Sequence, residues 1–423
     1  MNILIIGNGG REAAIAKELT HSKKVKDLHM LPVNQAFSSK IKTHDISPDD
    51  HDKILKFVKD NKIDLVVIGP EKPLVDGLSD FLRSNEVNVF GPSQKGAMLE
   101  GSKIFCKEFL DSAGVPTAKS IQVFSDDDIL EKSKTFSAPW VVKADGLAGG
   151  KGVYICENEE ELKLSGKDLF VDKKLGETRV FLEEYISGKE LSYLIVTNGR
   201  ISEPLPLAQD HKRIFDQDQG PNTGGMGAVA PLKIPDDLSK KIQVEIVDRT
   251  LKQLQKDNID YRGVIYFGVM VKDNQPYVLE INARFGDPET QVTMPLLDGD
   301  WADVFWSISQ GTVNKLKWKK LYATAIVMAA PGYPEDPEKN VFINGNIFDE
   351  KIGAYYICAG VKQNPHAQWV TNGGRVLNAV GIAETAKKSI EVAYGYAEKI
   401  NWRGILKRSD IGQKVLKKND FIF

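Results

Sequence analysis

The sequence predicts a multidomain protein of mixed α/β and α+β architecture that opens with a parallel α/β domain. Over residues 1 to about 100, short apolar runs alternate with helical patterns, as in a parallel sheet covered by helices. After that point the pattern changes to shorter strands, glycine-rich turns and charged residues. A chain of 423 residues, 42% of them hydrophobic, can bury a large core and should divide into about two to four domains.

The amino-terminal domain is predicted from its buried strands. Apolar runs at residues 3–6, 28–31, 65–68 and 87–90 indicate strands, and residues 12–19 and 53–59 indicate helices. Ligands of a parallel sheet bind beyond the carboxyl ends of its strands. The turns at residues 7–12 and 69–71 are therefore candidate ligand loops.

The turn at residues 7–12 allows three interpretations. Gly7 and Gly9 lie between a strand and a helix, where they can bring backbone N–H groups to a phosphate. The third glycine of a dinucleotide fingerprint would stand at position 12, which is Glu12, and no acid stands near residue 30 to bind a ribose. A nicotinamide cofactor, a small phosphorylated ligand and a purely structural turn are all open at this point.

A second glycine-rich turn lies between two strands at residues 140–156. It is not a Walker P-loop, because Asp145 replaces the first glycine, Gly152 replaces Ser/Thr, and a strand-like run follows. We expect a hairpin that closes its backbone N–H groups and lysines over ATP, or else an ordinary glycine hairpin. Lys103, near the start of a helix predicted at residue 101, could also reach a phosphate.

Two later segments combine clustered cations with glycine-rich backbone. Residues 209–213 (Gln-Asp-His-Lys-Arg) and 220–227 (Gly-Pro-Asn-Thr-Gly-Gly-Met-Gly) suit anionic substrates. Upstream, a strand at residues 181–186 stops before Glu190, and backbone groups at such a stop can pair with an adenine. A long surface loop and a solvent-facing glutamate are the structural alternatives.

The strand at residues 277–282 carries a pattern typical of a metal site. It should pair with residues 268–271 in a hairpin, and alternation places Glu280 and Asn282 on one face. A carboxylate and an amide oxygen suit Mg²⁺, which takes its other ligands from water and nucleotide phosphates. Arg284 faces the same side and could hold phosphate oxygens through a bidentate fork, unless the segment is only a solvated hairpin.

Charge and cysteine content exclude several classes of function. Lys+Arg of 56 against Asp+Glu of 58 gives a net charge of -2, which provides no global field for nucleic acid or an anionic membrane. Three cysteines without Cys-x-x-Cys spacing favour reduced thiols in a cytoplasm over disulfides or zinc. We find no Ser/His/Asp or Cys/His set with family spacing, and expect neither an export leader nor a spanning segment.

Together these segments resemble the ATP-grasp superfamily and, within it, the phosphoribosylamine–glycine ligase family. The likeness covers nearly the whole chain and rests on residues 7–12, 69–75, 100–103, 143–152, 209–213, 220–227, 284–290 and 372–377. It implies an ATP-grasp fold with an N-terminal Rossmann-like parallel α/β domain and a small C-terminal α+β domain. The implied bounds are 1–101, 102–324 with a mobile lid at about 115–187, and 325–423.

The resemblance also implies roles for particular residues. ATP would be bound by Lys103, Lys143, Gly149, Gly150, Lys151, Glu183, Tyr185, Ile186 and Glu190. The substrates would be bound by Gly9, Gly10, Arg11, Glu71, Asp210, Lys212, Arg213, Asn222, Thr223, Gly224, Gly225, Arg284, Asp287 and Glu289. Arg284, Lys212 and Lys143 would act in catalysis, and Glu280 with Asn282 would hold Mg²⁺ or Mn²⁺.

The reaction implied by the resemblance joins glycine to 5-phospho-D-ribosylamine, using ATP and a glycyl phosphate intermediate, to give glycinamide ribonucleotide for purine biosynthesis. We expect these small molecules as partners, no nucleic acid or membrane, and a cytoplasmic monomer or weak dimer. Two departures from the family pattern fall on the phosphoribosyl side: Ala13 stands where the family usually has histidine, and Val33 and Ala36 stand where a family turn has glycines. They leave open the affinity for the amine substrate, or its exact identity. Other ATP-grasp ligases, a nicotinamide dehydrogenase and a non-catalytic nucleotide-binding protein are the alternatives.

Overall fold

The first hundred residues fold much as the alternating pattern predicts, in a computed structural model that describes residues 1–36, 40–147 and 152–416. Their elements are β1 (Asn2–Ile6), α1 (Gly10–Leu19), β2 (Asp27–Leu31), β3 (Ile41–Thr43), α2 (His51–Asp60), β4 (Leu65–Ile68), α3 (Glu71–Val75), α4 (Leu78–Ser84), β5 (Val89–Phe90) and α5 (Gln94–Gly101). The predicted strands and helices are confirmed to within two residues at each end. β3 was not predicted, because it is a short, half-exposed edge strand without an apolar run.

The strand order places two glycine turns side by side. It is β3-β2-β1-β4-β5, and every described pairing is parallel. β1 and β4 are neighbours at the point where the strand order reverses, and each is followed at once by a glycine, Gly7 or Gly69. This edge is where a doubly wound sheet binds its ligands.

The next segment folds into an antiparallel sheet of order β6-β9-β7-β8. Its elements are α6 (Lys103–Ala113), β6 (Ser120–Val123), α7 (Asp126–Ser133), β7 (Trp140–Ala144), β8 (Val153–Cys156), α8 (Glu159–Gly166) and β9 (Val180–Glu184), with a π-helical turn at Lys167–Val171. β7 and β8 are paired antiparallel, which confirms the predicted hairpin. Its turn contains Gly149, Gly150 and Lys151, which lie outside the described residues.

A third sheet carries the predicted metal strand. The elements of this part of the chain, not all of which join the third sheet, are β10 (Lys189–Thr197), β11 (Ser202–Pro204), β12 (Gln209–Asp210), β13 (Arg213–Phe215), β14 (Gln219–Asn222), β15 (Gly227–Ala230), α9 (Asp236–Lys241), α10 (Arg249–Lys256), β16 (Gly263–Lys272), β17 (Gln275–Asn282), α11 (Glu289–Thr293) and α12 (Trp301–Ser309). A π-helical turn at Ile242–Asp248 joins α9 to α10, and 3-10 turns lie at Asp216–Asp218 and Met294–Leu296. The sheet order is β11-β10-β16-β17, and the β16–β17 hairpin is confirmed.

A bulge in β17 changes the predicted alternation at one position. Gly268 pairs with Glu280 and Val269 pairs with Val278, so Leu279 is the extra residue of the bulge. Its carbonyl oxygen is thereby available to another segment. Alternation also predicts that Leu279 and Ile281 are buried; Ile281 is, but Leu279, at the bulge, is only partly buried.

The carboxy-terminal sheet includes strands from the middle of the chain. Its own elements are β18 (Tyr322–Ala329), β19 (Ala354–Cys358), β20 (Val361–Gln363), β21 (Trp369–Thr371), β22 (Arg375–Ala383), α13 (Ala386–Ala397) and α14 (Gln413–Leu416). The sheet order is β12-β15-β18-β22-β19, and β20 pairs with β21 separately. β12 and β15 therefore bring the predicted substrate segments 209–213 and 220–227 to the edge of this sheet.

Helix α1 is packed between the amino-terminal and carboxy-terminal sheets. Ala13 and Ala14 belong to one buried cluster with alanines of β15 and β18, such as Ala228 and Ala325, and with larger residues of β19 and β22. Close approach of the backbones explains why small side chains are placed here. No helix among residues 1–36, 40–147 and 152–416 has the length and apolar character to cross a membrane.

Candidate active site

Glu12 fills the space between the two glycine turns. Its Oε2 accepts the N–H of Gly9 at 2.9 Å, and its Oε1 accepts Nε–H of Arg11 at 2.7 Å. A Cβ atom on Gly69 would lie 2.2 Å from Oε1, and one on Gly7 would lie 2.7 Å from Cγ of Glu12. The carboxylate therefore occupies the place where a dinucleotide fingerprint needs open backbone, which argues against a nicotinamide cofactor.

A row of alternating charges begins at this turn. Arg284 contacts Glu100 (Nη2–Oε1, 2.7 Å) and Glu71 (Nε–Oε2, 3.4 Å), and Arg11 Nη2 lies 3.9 Å from the same oxygen of Glu71. Burial raises the pKa of Glu71, but Arg284 and Arg11 outweigh it and hold that pKa below its ordinary value. Two predicted substrate residues, Arg11 and Glu71, thus meet the predicted catalytic Arg284.

Glu100 is a site residue that the sequence analysis included in the segment 100–103 without giving it a role. Its Oε2 accepts the N–H of Ala283, at 2.7 Å, while its other oxygen holds Arg284. Burial raises its pKa despite the arginine. The available signal was its place directly before the Gly-Ser-Lys segment at 101–103, but a single glutamate at a helix end has no distinctive spacing.

Two buried lysines share one carboxylate on β9. Lys143 Nζ lies 2.6 Å from Glu183 Oε2, and Lys107 Nζ lies 2.7 Å from Oε1. Lys143 also donates to the Leu279 carbonyl at 3.2 Å, the group exposed by the β17 bulge. The Glu183 side chain is therefore committed to the lysines, and Lys107 is a further residue that sequence reasoning missed.

The base of the glycine hairpin is fixed to the start of α6. Asp145 accepts hydrogen bonds from Ser102 Oγ at 2.9 Å and from the N–H of Ile104 at 3.2 Å. Lys103 donates from Nζ to the Gly146 carbonyl at 2.8 Å. Burial and the nearby charge of Lys143 lower the pKa of Lys103. Lys103 and Lys143 are thus brought together, as the sequence predicts.

The predicted metal residues are neighbours at the end of β17. Asn282 Nδ2 donates to Glu280 Oε1 at 3.2 Å, and Lys212 Nζ lies 3.9 Å from the same oxygen. Lys212 forms an ion pair with Glu190 as well. Burial raises the pKa of Glu280, but Lys212 and Lys143 lower it further, so this carboxyl is held ionised.

These oxygen donors fit a hard divalent metal. A carboxylate and an amide oxygen at alternate positions of one strand are ligand types that Mg²⁺ prefers. Within the described residues, no group of three or more His, Cys, Asp or Glu side chains forms a candidate metal cluster. The arrangement of Glu280 and Asn282 therefore fits a metal that takes its remaining ligands from phosphates and water.

Asp287 connects the amino-terminal turn to the carboxy-terminal sheet. Its Oδ2 accepts the N–H of Arg11 at 3.2 Å, and its Oδ1 lies 3.2 Å from Arg375 Nη1. The same Nη1 donates to the carbonyls of Gly224 and Asp287, each at 2.6 Å. Arg375 belongs to the segment 372–377 that carries part of the family resemblance, and the structure makes it part of the site.

A buried acid, Glu289, and a half-buried one, Asp210, lie behind this connection. Glu289 Oε1 accepts the hydroxyl of Ser192 at 2.9 Å. Burial raises the pKa of Asp210 well above its ordinary value, and the charge of Glu289 adds to that rise. Gly225 has a φ of 113°, and a Cβ there would lie 2.7 Å from Asp210 Oδ1, so glycine permits this close approach.

The remaining predicted residues differ in how closely they join the site. Thr223 Oγ1 donates to the Lys212 carbonyl at 2.8 Å, which ties the 220–227 loop to the cation. Asn222 is exposed on β14, and Arg213 donates to the Gly220 carbonyl at 2.7 Å. At the end of β9, Tyr185 is exposed and Ile186 is buried.

A cleft of about 560 Å³ opens between the amino-terminal turn and the carboxy-terminal sheet. Its lining residues are Asn8, Gly9, Gly10, Val33, Asn34, Gln35, Asp287, Ala359, Gly360, Val361, Lys362, Gln363, Asn372 and Arg375. Of the three residues that depart from the family pattern, Val33 lines this cleft. Ala36 is buried in the core of the carboxy-terminal sheet, and Ala13 is buried on α1.

Comparison with known proteins agrees with this arrangement. The family models of phosphoribosylglycinamide synthetase match residues 1–100 (N domain), 101–290 (ATP-grasp, A domain) and 323–414 (C domain). A phosphoribosylamine–glycine ligase from Nostoc sp. is 40% identical over 98% of this chain and 100% of its own length. The matched ATP-grasp domain implies use of ATP with a divalent metal.

Solved structures give the same result. The crystal structure of phosphoribosylamine–glycine ligase from Thermotoga maritima has a TM-score of 0.86 and 36% identity, covering 97% of this chain and 100% of that one. The biotin carboxylase domain of Hydrogenobacter thermophilus 2-oxoglutarate carboxylase, at 17% identity and a TM-score of 0.71 over 100% of this chain and 95% of that one, shares the fold alone. The prediction of an ATP-grasp fold is confirmed, and the chain belongs to the phosphoribosylglycinamide synthetase family.

Proposed function

We propose that this protein ligates glycine to 5-phospho-D-ribosylamine with ATP, forming glycinamide ribonucleotide, ADP and phosphate in purine biosynthesis. The observation that carries the proposal is the convergence of Arg11, Glu71, Arg284, Asp287 and Arg375 from all three parts of the chain. This row of charges lies between the cleft on one side and, on the other, Lys103 and Lys143, which suit nucleotide phosphates, and Glu280 and Asn282, which suit a metal. The names of the full-length relatives support the same reaction.

The nucleotide half of the site would use the lysines around the glycine hairpin. Lys103 and Lys143 would hold phosphates, together with Gly149, Gly150 and Lys151 of the hairpin turn. Because the Glu183 carboxylate is committed to lysines, the backbone at Tyr185 and Ile186 would contact the adenine. Glu190 would contact the ribose.

Glu280 and Asn282 would hold Mg²⁺ or Mn²⁺. The metal, when bound, supplies positive charge to the phosphate oxygens. The charges of Lys212 and Lys143 keep the Glu280 carboxyl ionised. A carboxyl group binds a metal cation in this deprotonated form.

The reaction would proceed in two displacements. A carboxylate oxygen of glycine attacks the γ-phosphorus, and the bond to the ADP oxygen breaks. The amine nitrogen of the second substrate then attacks the carbonyl carbon, and phosphate leaves with the glycine oxygen. Arg284, Lys143 and Lys212 would stabilise charge on the transferring group, and the closed hairpin would exclude water.

The other substrate residues surround these atoms. Gly9, Gly10, Arg11, Glu71, Asp287 and the loop with Asn222, Thr223, Gly224 and Gly225 would position the amine substrate and glycine. The half-buried Asp210 and the buried Glu289, beside that loop, would face the amino group of glycine, and Arg213 would add positive charge nearby. Positioning of this kind supplies most of the catalysis in acyl phosphate chemistry.

We also propose three domains, with limits of 1–101, 102–324 (including a lid at about 115–187) and 325–423. The protein would be cytoplasmic and would be a monomer or a weak dimer. The three cysteines, each free and buried, support a reducing compartment.

The test is phosphate release from ATP·Mg²⁺ with glycine and freshly generated phosphoribosylamine, leaving out each in turn, with the product mass checked. Release that needs both substrates and yields glycinamide ribonucleotide supports the proposal. Binding of ATP with release that depends on neither substrate would instead indicate a nucleotide-binding protein, and stimulation by another acid would indicate a different ATP-grasp ligase.

A further inference from the structure

Lys107 is a buried lysine of α6 whose ammonium group has three partners within the protein. Its Nζ lies 2.7 Å from Glu183 Oε1, and it donates to Thr117 Oγ1 at 2.7 Å and to the Ala118 carbonyl at 2.8 Å. Only 8% of the residue is exposed. A lysine has three N–H donors, so Lys107 is held at one position and has no donor left for a ligand.

One branch of these contacts leads from α6 to β17. Thr117 Oγ1 donates to the Val278 carbonyl at 2.6 Å. Thr117 and Val278 also form a parallel β-bridge, and the N–H of Val278 donates to the Pro116 carbonyl at 2.8 Å. Lys107 is therefore anchored to the part of β17 that comes just before the bulge.

The other branch leads to Lys143. Glu183 on β9 pairs with Val141 on β7, which makes Glu183 and Lys143 diagonal neighbours across the two strands. Glu183 Oε2 lies 2.6 Å from Lys143 Nζ, and Lys143 donates to the Leu279 carbonyl of the bulge at 3.2 Å. The two branches thus meet again on β17, and they fix Lys143 relative to the strand that carries Glu280.

The charges in this ring do not cancel. Two lysines share the single carboxylate of Glu183, and among the described residues neither lysine has a second acidic side chain within ion-pair distance. Without Lys107, the charge of Glu183 would be balanced by Lys143 alone, and a phosphate would have to compete with that carboxylate for Lys143. With Lys107 present, one positive charge remains for an anion.

We propose that Lys107 is a positioning residue for nucleotide binding, which balances the charge of Glu183 and so keeps Lys143 available to the phosphates of ATP. The inference rests on the nucleotide role of Lys143 in the proposed function. Lys107 does not touch the nucleotide, since its donors are already used. It acts through Glu183, so the effect of losing Lys107 depends on the charge at Glu183.

The experiment compares Lys107→Met with Lys163→Met, a matched control at an exposed lysine on α8. Calorimetry with ATP·Mg²⁺ on the full chain, without the other substrates, measures the Kd. We expect Lys107→Met to raise this Kd about tenfold or more, because Glu183 then withholds Lys143 from the phosphates. In steady-state assays the KM for ATP should rise with it, while the KM for glycine stays unchanged. Lys163→Met should bind ATP as the wild type does.

A second variant separates this role from a purely structural one. Lys107→Met combined with Glu183→Gln leaves no excess negative charge in the ring, so it should bind ATP·Mg²⁺ more tightly than Lys107→Met alone. Two independent losses of packing would instead add. Urea unfolding measures the stability of each variant. If the folded Lys107→Met protein binds ATP with the wild-type Kd, or if the double variant binds no better than the single one, the inference is overturned.

Lys143→Met distinguishes failure of this inference from failure of the proposed function. Wild-type ATP affinity in Lys143→Met would remove the nucleotide role of Lys143 and the inference with it. Weaker binding by Lys143→Met together with unchanged binding by Lys107→Met would overturn only the role of Lys107.

Discussion

Arg284 holds a permanent charge between two carboxylates at the centre of the candidate site. Glu100 and Glu71 raise the pKa of its guanidinium, so the charge is present at every pH at which the protein is folded. Its Nη1 donates to the Phe285 carbonyl at 3.1 Å, which fixes the plane of the guanidinium group. A residue held in this way can stabilise developing charge without reorganising.

Substitution Arg284→Lys tests this role with the charge retained. Lysine cannot reproduce the planar fork, so we expect kcat to fall about tenfold or more, while the KM for ATP changes less than about threefold. Steady-state kinetics measure both, and urea unfolding checks the fold. An unchanged kcat would remove Arg284 from the catalytic step.

Substitution Glu280→Gln tests the metal assignment. The side chain is half exposed, so the fold should be retained, but the loss of a carboxylate ligand should shift the Mg²⁺ concentration for half-maximal activity upward by about tenfold or more. Glu108→Gln, at an exposed position on α6, is the control. A wild-type Mg²⁺ titration in Glu280→Gln would show that the metal lies elsewhere.

At the scale of elements, the carboxy-terminal segment 406–416 anchors the β13–β14 hairpin. Arg408, fully buried, donates to the Arg213 carbonyl at 3.0 Å and contacts Asp218 at 3.0 Å. The N–H of Gln217 donates to Asp410 at 2.8 Å. Residues far apart in the sequence thus hold the segment that carries Lys212 and the following loop.

His211 makes this anchor sensitive to pH. Its Nδ1 lies 3.2 Å from the Gly227 carbonyl, and its Nε2 accepts the N–H of Gly412 at 3.4 Å, a combination that only the neutral ring provides. Burial, with help from Arg408, lowers its pKa to about 4. Because the unfolded state binds the proton first, stability should be complete above the ordinary pKa of 6.5 and decline as pH falls towards about 4.

Urea unfolding between about pH 7.5 and 4.5 measures this decline, which should reach about 2 kcal/mol or more for His211. His211→Asn should flatten that part of the profile, whereas His366→Asn, at an exposed position, should leave it unchanged. Identical slopes in the wild type and His211→Asn would contradict the assignment.

The sequence predicted the positions of strands and helices better than it predicted which strands pair with each other. Apolar runs identified β1, β2 and β4, because burial on both faces leaves a clear pattern. The pairing of β15 with β18 could not be predicted, because β15 is short and its partner lies about a hundred residues away, and β12 joins this sheet only through β15. Glu100 and Lys107 received no role for a related reason: a lone charged residue can be assigned to a site only once folding shows which opposite charge it contacts.

At the scale of the whole molecule, α1 and its preceding turn join the three parts. Ala13, where the family pattern usually has histidine, is packed against small residues of the carboxy-terminal sheet. We expect Ala13→His to lower the free energy of unfolding by about 1–3 kcal/mol, because the space for a larger side chain is absent. Urea unfolding measures the change, and a stability equal to the wild type would show that the interface can adapt.

The most direct test of the ligase account follows the oxygen of glycine. With glycine labelled with ¹⁸O in its carboxylate, attack on the γ-phosphorus followed by amide formation should place one labelled oxygen in each phosphate released. Mass spectrometry of that phosphate, alongside the glycinamide ribonucleotide formed, measures this transfer. Labelled phosphate in proportion to product is the predicted result, and unlabelled phosphate would contradict the glycyl phosphate mechanism.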